Sequence, residues 1–342
     1  MAAAAEGAWA AYKLRWRRRR LRGRALAKLG QLRRIRRRTE AIAPGAVLAF
    51  ATVRNEAARL PFWFDHHRNL GVDHFLIVDN ASDDGSADWL AAQPDVSLWS
   101  TAASYKASRF GVDWLTILLA RYGHGHWCLT LDADELFLYA HHDVRPLRAL
   151  TDWLDAHGRA SMGALMLDLY PRGQLSEADH RPGDDPAAAM PWFDAGNYVM
   201  VRQPKLGNLW VQGGPRARAF FTADPRRAPT LSKVPLVRWN RRYAYVSSTH
   251  SLLPRWLNEV YARDGSEAPT GILLHTKFLP GIAEKSAEEK RRGEHFENSA
   301  LYGPYYDALT ADPTLWCEAS TRLVGGWRQL EALGLMSRGG WE

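Results

Sequence analysis

Short apolar runs of strand length alternate with helix-length amphipathic stretches through the first half of the chain. Residues 46–53 read as a first buried strand. Residues 57–70 read as a helix, with Leu60, Phe64 and Leu70 at apolar positions, Pro61 in its first turn and Gly71 as its stop. Residues 74–78 form a second strand, followed by the turn- and cap-rich residues 79–86 and a helix through Trp89 and Leu90. Residues 96–99 are a short third strand. Residues 109–122 are apolar at helical spacing through Phe110, Trp114, Ile117 and Leu118. They lead into residues 127–137, where an apolar run meets Asp132, Asp134 and Glu135. This alternation predicts an α/β fold built on a doubly wound, mostly parallel sheet.

The second half is less regular. Residues 146–158 read as a helix with Leu147, Leu150, Trp153 and Leu154 on one side. Residues 164–167 read as a strand ending in Asp168. Residues 174–197 have the composition of a long loop, and such loops in compact domains commonly serve as lids or binding segments. Short strands are expected at 216–221, 234–237 and 246–251. A strand at 272–278 places His275 and Lys277 on the same side, and a polar helical stretch from Lys285 to Gly293 follows. The chain divides into an arm (1–43), a first half of the main domain (44–145), a second half (146–300) and a C-terminal helical segment (301–342).

Charge changes the picture of the arm. The chain of 342 residues carries a net +8. Fourteen Lys or Arg and no acid lie between Lys13 and Arg38, which leaves −6 for the rest. Trp9, Leu14, Trp16, Leu21, Ala25, Leu29, Leu32 and Ile35 recur there at loosely helical spacing. A basic helix of this kind suits an anionic membrane surface; a nucleic-acid contact and a simply solvated helix are the alternatives. No run approaches the roughly 20 apolar residues needed to span a bilayer. Cys128 and Cys317, the only cysteines, are too few for a zinc cluster or a disulfide framework. The expected setting is cytoplasmic, with peripheral contact to the cytoplasmic face of a membrane and no nucleic acid.

Three strand ends carry polar chemistry: Arg54-Asn55-Glu56, Asp79 with its loop, and Asp132-Ala133-Asp134. In open α/β sheets ligands bind at the carboxyl ends of strands. Clustered carboxylates repel unless a cation lies between them, and a hard divalent ion that also takes substrate phosphate oxygens fits. No glycine-rich phosphate loop follows the first strand, so a bound diphosphate would need that ion. An acidic turn capping the next helix is the plainer alternative.

Together, Thr52-Val53-Arg54-Asn55-Glu56, residues 78–86 and Leu131-Asp132-Ala133-Asp134-Glu135 resemble the succession in family 2 glycosyltransferases of the GT-A fold. The resemblance covers residues 46–140. It implies inverting transfer of a sugar from a nucleotide-diphosphate donor, a UDP-sugar favoured, to a glycan or glycolipid hydroxyl in envelope or polysaccharide synthesis, with Mn2+ or Mg2+. It places Asp79 against the nucleotide base, Arg54, Asn55 and Glu56 beneath the nucleoside, and Asp132 and Asp134 at the ribose and the metal. The commoner ending of the second strand has two adjacent acids, whereas this chain has Asp79-Asn80, which leaves the base open. A weaker likeness at 272–293 gives His275 either a place in the metal shell beside Asp134 or a bond to the diphosphate, with a core histidine as the plain alternative. Lys277 would join it at the diphosphate. For the catalytic base Asp168 comes first, then Glu177 and Asp194. His66-His67, His124, His126 and His141-His142 are expected at the surface or in turns. A nucleotidyltransferase and a non-catalytic binding protein on the same scaffold are the rival functions.

Overall fold

The computed structural model describes residues 2–261, 268–292 and 303–342. Its main elements in chain order are α1 (Ala2–Leu26), β1 (Arg33–Arg36), β2 (Leu48–Val53), α2 (Leu60–Leu70), β3 (His74–Asp79), α3 (Ser86–Ala92), β4 (Val96–Ser100), α4 (Val112–Tyr122), β5 (Trp127–Thr130), β6 (Glu135–Leu138), α5 (Leu147–Ala156) and β7 (Ser161–Asp168). The second half adds α6 (Gly214–Phe220), β8 (Ser232–Arg238), β9 (Thr270–His275), α7 (Ile282–Arg292), α8 (Gly303–Thr310) and α9 (Gly326–Ala332). The strands make one nine-stranded sheet in the order β1-β4-β3-β2-β5-β8-β7-β9-β6. Six strands (β4, β3, β2, β5, β7 and β9) run the same way, and β1, β8 and β6 run against them. The chain is therefore an α/β protein with a mostly parallel central sheet.

Alternate residues of the chain entering and forming β2 supply both faces. Val47, Ala49, Ala51 and Val53 pack with Trp63 and Phe64 of α2, Leu90 of α3 and Leu147, Leu150 and Leu154 of α5. Ala46, Leu48 and Phe50 pack with Trp114, Leu115 and Leu118 of α4 on the other face. Helices thus cover both sides, which is why the strands read as unbroken apolar runs. The C-terminal segment belongs to the first of these cores through Tyr305, Leu309, Trp327 and Leu330. Among the described residues no helix is long and apolar enough to cross a membrane.

Four expectations change. The arm's helix stops at Leu26, and β1 pairs antiparallel with β4, Arg33 opposite Ser100, so its last residues complete a sheet edge instead of a turn of helix. Residues 216–221 fall largely in α6, because Pro215 suits the first turn of a helix and follows two glycines. Residues 246–251 form the turn between the paired segments Ala244–Tyr245 and Leu252–Leu253, closed by the Val246 N–H on the Ser251 carbonyl at 2.8 Å. The 174–197 stretch is anchored rather than loose: Leu175, Met190 and Phe193 are fully buried. Gly293, at the end of the helical stretch read from the sequence, lies outside the described residues.

Candidate active site at the strand ends

The topology brings the chemistry to one edge of the sheet. The parallel strands end there, with Val53 in register with Asp79 and Asp168 with His275. The antiparallel strands begin there: Lys233 is the second residue of β8, and Glu135, the first of β6, lies opposite His275. Only Leu131–Asp134 separate β5 from β6, yet β8, β7 and β9 stand between those two strands in the sheet. The acidic segment is thus a crosspiece over the intervening strand ends. It brings Asp132 to Lys233 of β8 and Asp134 to His275 of β9.

Lys233 Nζ contacts Asp132 Oδ2 at 2.7 Å and also bonds Glu135 Oε1. Both Lys233 and Glu135 are buried. Burial opposes the charge on Lys233, but Asp132 and Glu135 outweigh it and raise the ammonium's pKa. Burial drives Glu135 the other way for an acid, up to about 7, since one ammonium is shared between two carboxylates and Asp134 lies close by. His275 has a carboxylate on each nitrogen: Nδ1 to Asp168 Oδ1 at 2.5 Å and Nε2 to Asp134 Oδ2 at 3.2 Å. Burial would lower the imidazole's pKa, but Asp134 and Asp168 outweigh it and raise it above the usual histidine value. Against its own burial, Asp134 is held well below the usual carboxylate range by His275, Arg59 and Lys277. Asp168 is likewise held low by Arg216, whose Nε lies 2.7 Å from Oδ2, and by His275.

A cavity of about 1380 Å³ opens over this edge. Arg54, Asn55 and Glu56 line it. Arg54 donates to the carbonyls of Asn80 and Ala81 at 2.8 and 2.9 Å, and Ser82 and Ser86 hydroxyls accept from the N–H groups of Asn55 and Glu56. The loops after β2 and β3 are thereby knitted together. Asp132, Asp134, His275 and Lys277 also line the cavity. Lys277 lies beyond the end of β9 rather than on it.

Asp79 is not in the wall. It is 2% exposed, and its carboxylate accepts from the Ser82 N–H at 3.3 Å, closing its own loop. Its neighbour Asn80, also buried, lines the cavity. Asn80 Nδ2 donates to the carbonyls of Thr101 and Ala103, which fixes the amide, and its buried Oδ1 has no partner.

The three carboxylates expected as a base have other duties. Asp168 is fully buried with both oxygens in ion pairs, so it orients His275 and Arg216. Asp194 accepts a two-pronged pair from Arg218 at 3.0 Å and a bond from Tyr170 Oη at 2.5 Å. Glu177 closes a single turn by accepting from the Gln174 N–H at 2.9 Å. None of them lines the cavity.

Asp134, Glu135 and His275 offer ligand atoms within 4.8 Å of one another. The 3.2 Å between Asp134 Oδ2 and His275 Nε2 is close to the roughly 3 Å between adjacent ligands of an octahedral divalent ion bonded at 2.0–2.1 Å. The bond from His275 Nδ1 to Asp168 is the support a metal-ligating imidazole commonly has. These residues therefore fit a divalent cation, with Asp134 and His275 as its protein ligands. Asp132, expected among them, is instead paired with Lys233.

Sequence reasoning missed Lys233, Arg216, Arg59 and Asn80. A lysine opening the apolar run Val234-Pro235-Leu236-Val237 was a legible signal, since lysine is rarely buried unless paired. Arg216 was concealed by the strand reading of residues 216–221. His67, expected at the surface, is fully buried, its Nδ1 donating to the Trp63 carbonyl at 2.7 Å.

No family model and no curated protein matches the sequence. Among solved structures, the chain is similar to a mannosyltransferase from Pyrobaculum calidifontis in complex with GDP-Man and Mn2+, at 19% identity and a TM-score of 0.28 over 48% of this chain and 46% of that one. It is similar to a 4-diphosphocytidyl-2C-methyl-D-erythritol synthase at 17% identity and a TM-score of 0.23, covering 41% and 68%. A protein from Bacillus anthracis described as a glucose-1-phosphate thymidylyltransferase, in complex with a sucrose, matches at 7% identity and a TM-score of 0.28, covering 85% and 95%. The chain spans about half the length of the mannosyltransferase. Likenesses this low in identity and TM-score assign it neither a family nor an activity.

Proposed function

We propose that this protein transfers a glycosyl group from a nucleoside-diphosphate sugar to an acceptor hydroxyl. The observation that carries the reading is the meeting of Asp134, His275 and Lys277 with the loops after β2 and β3 on one cavity, about 1380 Å³ in volume. Ligand pockets for one small molecule usually hold about 300–1000 Å³, so donor and acceptor fit together. Asn80 Oδ1 is the acceptor for a nucleobase N–H, such as that of uracil, and Asp79 shapes the loop that presents it. Arg59, Lys277 and Lys285 face the diphosphate. Asp134 and His275 would hold a Mn2+ or Mg2+ ion, whose charge would offset that of a bound diphosphate. Of the cavity carboxylates, Asp132 has the most open side chain, 48% exposed, and is the group to receive the acceptor's proton. The acceptor is a glycan or glycolipid presented at an anionic membrane surface, against which the exposed Trp9 and Trp16 of α1 lie.

Thermal stabilisation by UDP, GDP and their sugars, with and without Mn2+, tests this. UDP should stabilise the wild type only with metal, Asp134→Ala should lose that stabilisation, and Asn80→Leu should weaken it. Release of pyrophosphate from a nucleoside triphosphate and a sugar phosphate, with no release of UDP from UDP-sugars, would identify a nucleotidyltransferase instead.

A further inference from the structure

The cavity has a second cationic wall that the donor does not need. On α1, Lys13, Arg17, Arg20 and Arg24 follow one another at intervals of four, three and four residues, one face of a helix, and all four line the cavity. Arg226, from the turn before β8, lines it as well. Among the described residues fourteen Lys or Arg line this space against four acids. Every one of those acids is engaged elsewhere: Glu56 by Arg59 and Lys285, Glu288 by Arg54, Asp132 by Lys233, and Asp134 by His275. Arg24 is neutralised by Asp113. Arg17, Arg20 and Arg226 have no carboxylate partner among the described residues. Arg17, like Arg24, adds like charge near Arg109. A further guanidinium points the same way: Arg216 is 5% exposed and lines the cavity, and its Nη2 has no partner.

We propose that this wall binds a phosphate or diphosphate group on the acceptor, so that the transferred sugar is received by an anionic molecule held between α1 and the strand ends. This rests on the glycosyl-transfer reading. A neutral glycan would leave the arm's guanidiniums unmatched, whereas forked guanidinium–phosphate bonds satisfy them, and the cleft's reduced dielectric strengthens such pairs. The phosphate can belong to a soluble phosphorylated acceptor or to a lipid headgroup.

Calorimetric titration with inorganic pyrophosphate, without nucleotide, tests the wall directly. The wild type should show two classes of site. Arg17→Ala/Arg20→Ala should weaken one class at least tenfold with an unchanged melting temperature, as neither side chain has an acidic partner to lose, and Arg17→Lys/Arg20→Lys should restore part of it. Lys277→Ala should weaken the other class. If the donor reading fails, binding is insensitive to Lys277→Ala while the arm's class persists. An unchanged isotherm in the Arg17→Ala/Arg20→Ala variant would overturn the proposal. Displacement of the arm's pyrophosphate by phosphatidylglycerol vesicles but not phosphatidylcholine vesicles identifies a lipid headgroup; no displacement by either identifies a soluble acceptor. A short RNA that displaces it at far lower phosphate concentration than pyrophosphate itself would overturn the assignment in favour of nucleic acid.

Discussion

Lys233 shows how residue-scale electrostatics holds the site together. Its ammonium is 3% exposed and is the positive charge between Asp132 and Glu135. Removing one partner of a buried ion pair typically costs about 3–5 kcal/mol, because the other charge is left uncompensated. Lys233→Met should therefore destabilise the protein by about that much in a denaturant titration. Adding Glu135→Gln should recover a large part of it, and strict additivity of the two would show that the pair is not coupled. His67 gives a pH signature of opposite origin. Its Nδ1 donates to the Trp63 carbonyl and its Nε2 accepts from the Phe137 N–H, so the folded ring has no room for a second proton. Burial, then the neighbouring His66, holds its pKa well below the usual histidine value. Below about pH 6.5 the unfolded chain takes up a proton that the folded one refuses, so stability falls with acidification and is unaffected at higher pH. His67→Gln keeps a donor and an acceptor but cannot titrate. Its stability should fall less steeply than the wild type's between pH 6.5 and 4.5, by up to about 1.4 kcal/mol per pH unit; parallel curves would refute the assignment.

At the scale of elements, α4 is set against the site by an uncommon entry. Arg109, Phe110 and Gly111 all have positive φ, at 55°, 59° and 77°, and all belong to the stretch that precedes the helix. A Cβ on Gly111 would come within 2.6 Å of Thr52 Oγ1 at the cavity wall. Gly111→Ala should thus cost about 1–3 kcal/mol through strain and overpacking and should weaken nucleotide binding as Thr52 shifts. Unaltered melting and binding would show that the turn can relax freely. The arm is two elements with separate duties. Leu21 packs beside Ala244, Val246 and Leu253, and Arg24 and Lys28 reach Asp113, while β1 covers the edge of β4. Deleting residues 2–28 should leave a monodisperse protein of lower stability. Deleting residues 2–40 strips the sheet edge, which invites association between copies; light scattering would separate the two, and equal behaviour would deny β1 its role.

For the whole molecule, the decisive feature is the crosspiece of Leu131–Asp134. Reading residues 127–137 as a strand ending in carboxylates sets all the carboxylates at one strand end, whereas the structure spreads them across several. Because β6 pairs on the far side of β9, Asp132 and Asp134 are delivered to different strands and meet different partners, Lys233 and His275. The two-fold alternation of residues in β2, the glycine stop at Gly71 and the apolar face of α5 were legible because each depends on local sequence spacing. The base assignment to Asp168 was not, because it turned on whether Arg216 and His275 reach that carboxylate, two groups distant in the chain.

Local spacing and composition along the chain dictate the succession of strands and helices, their burial on both sheet faces, the net positive charge of the first forty residues and the strand-end position of the polar segments. These follow from periodicity, turn chemistry and composition, all of which act over a few residues. Only the assembled sheet sets Lys233 against Asp132 and Glu135, puts Asn80 rather than Asp79 in the cavity lining, and closes that cavity with one face of α1. Each depends on strand order and on which long-range partner reaches a buried charge, and pairing across the sheet leaves no mark in the local spacing of residues.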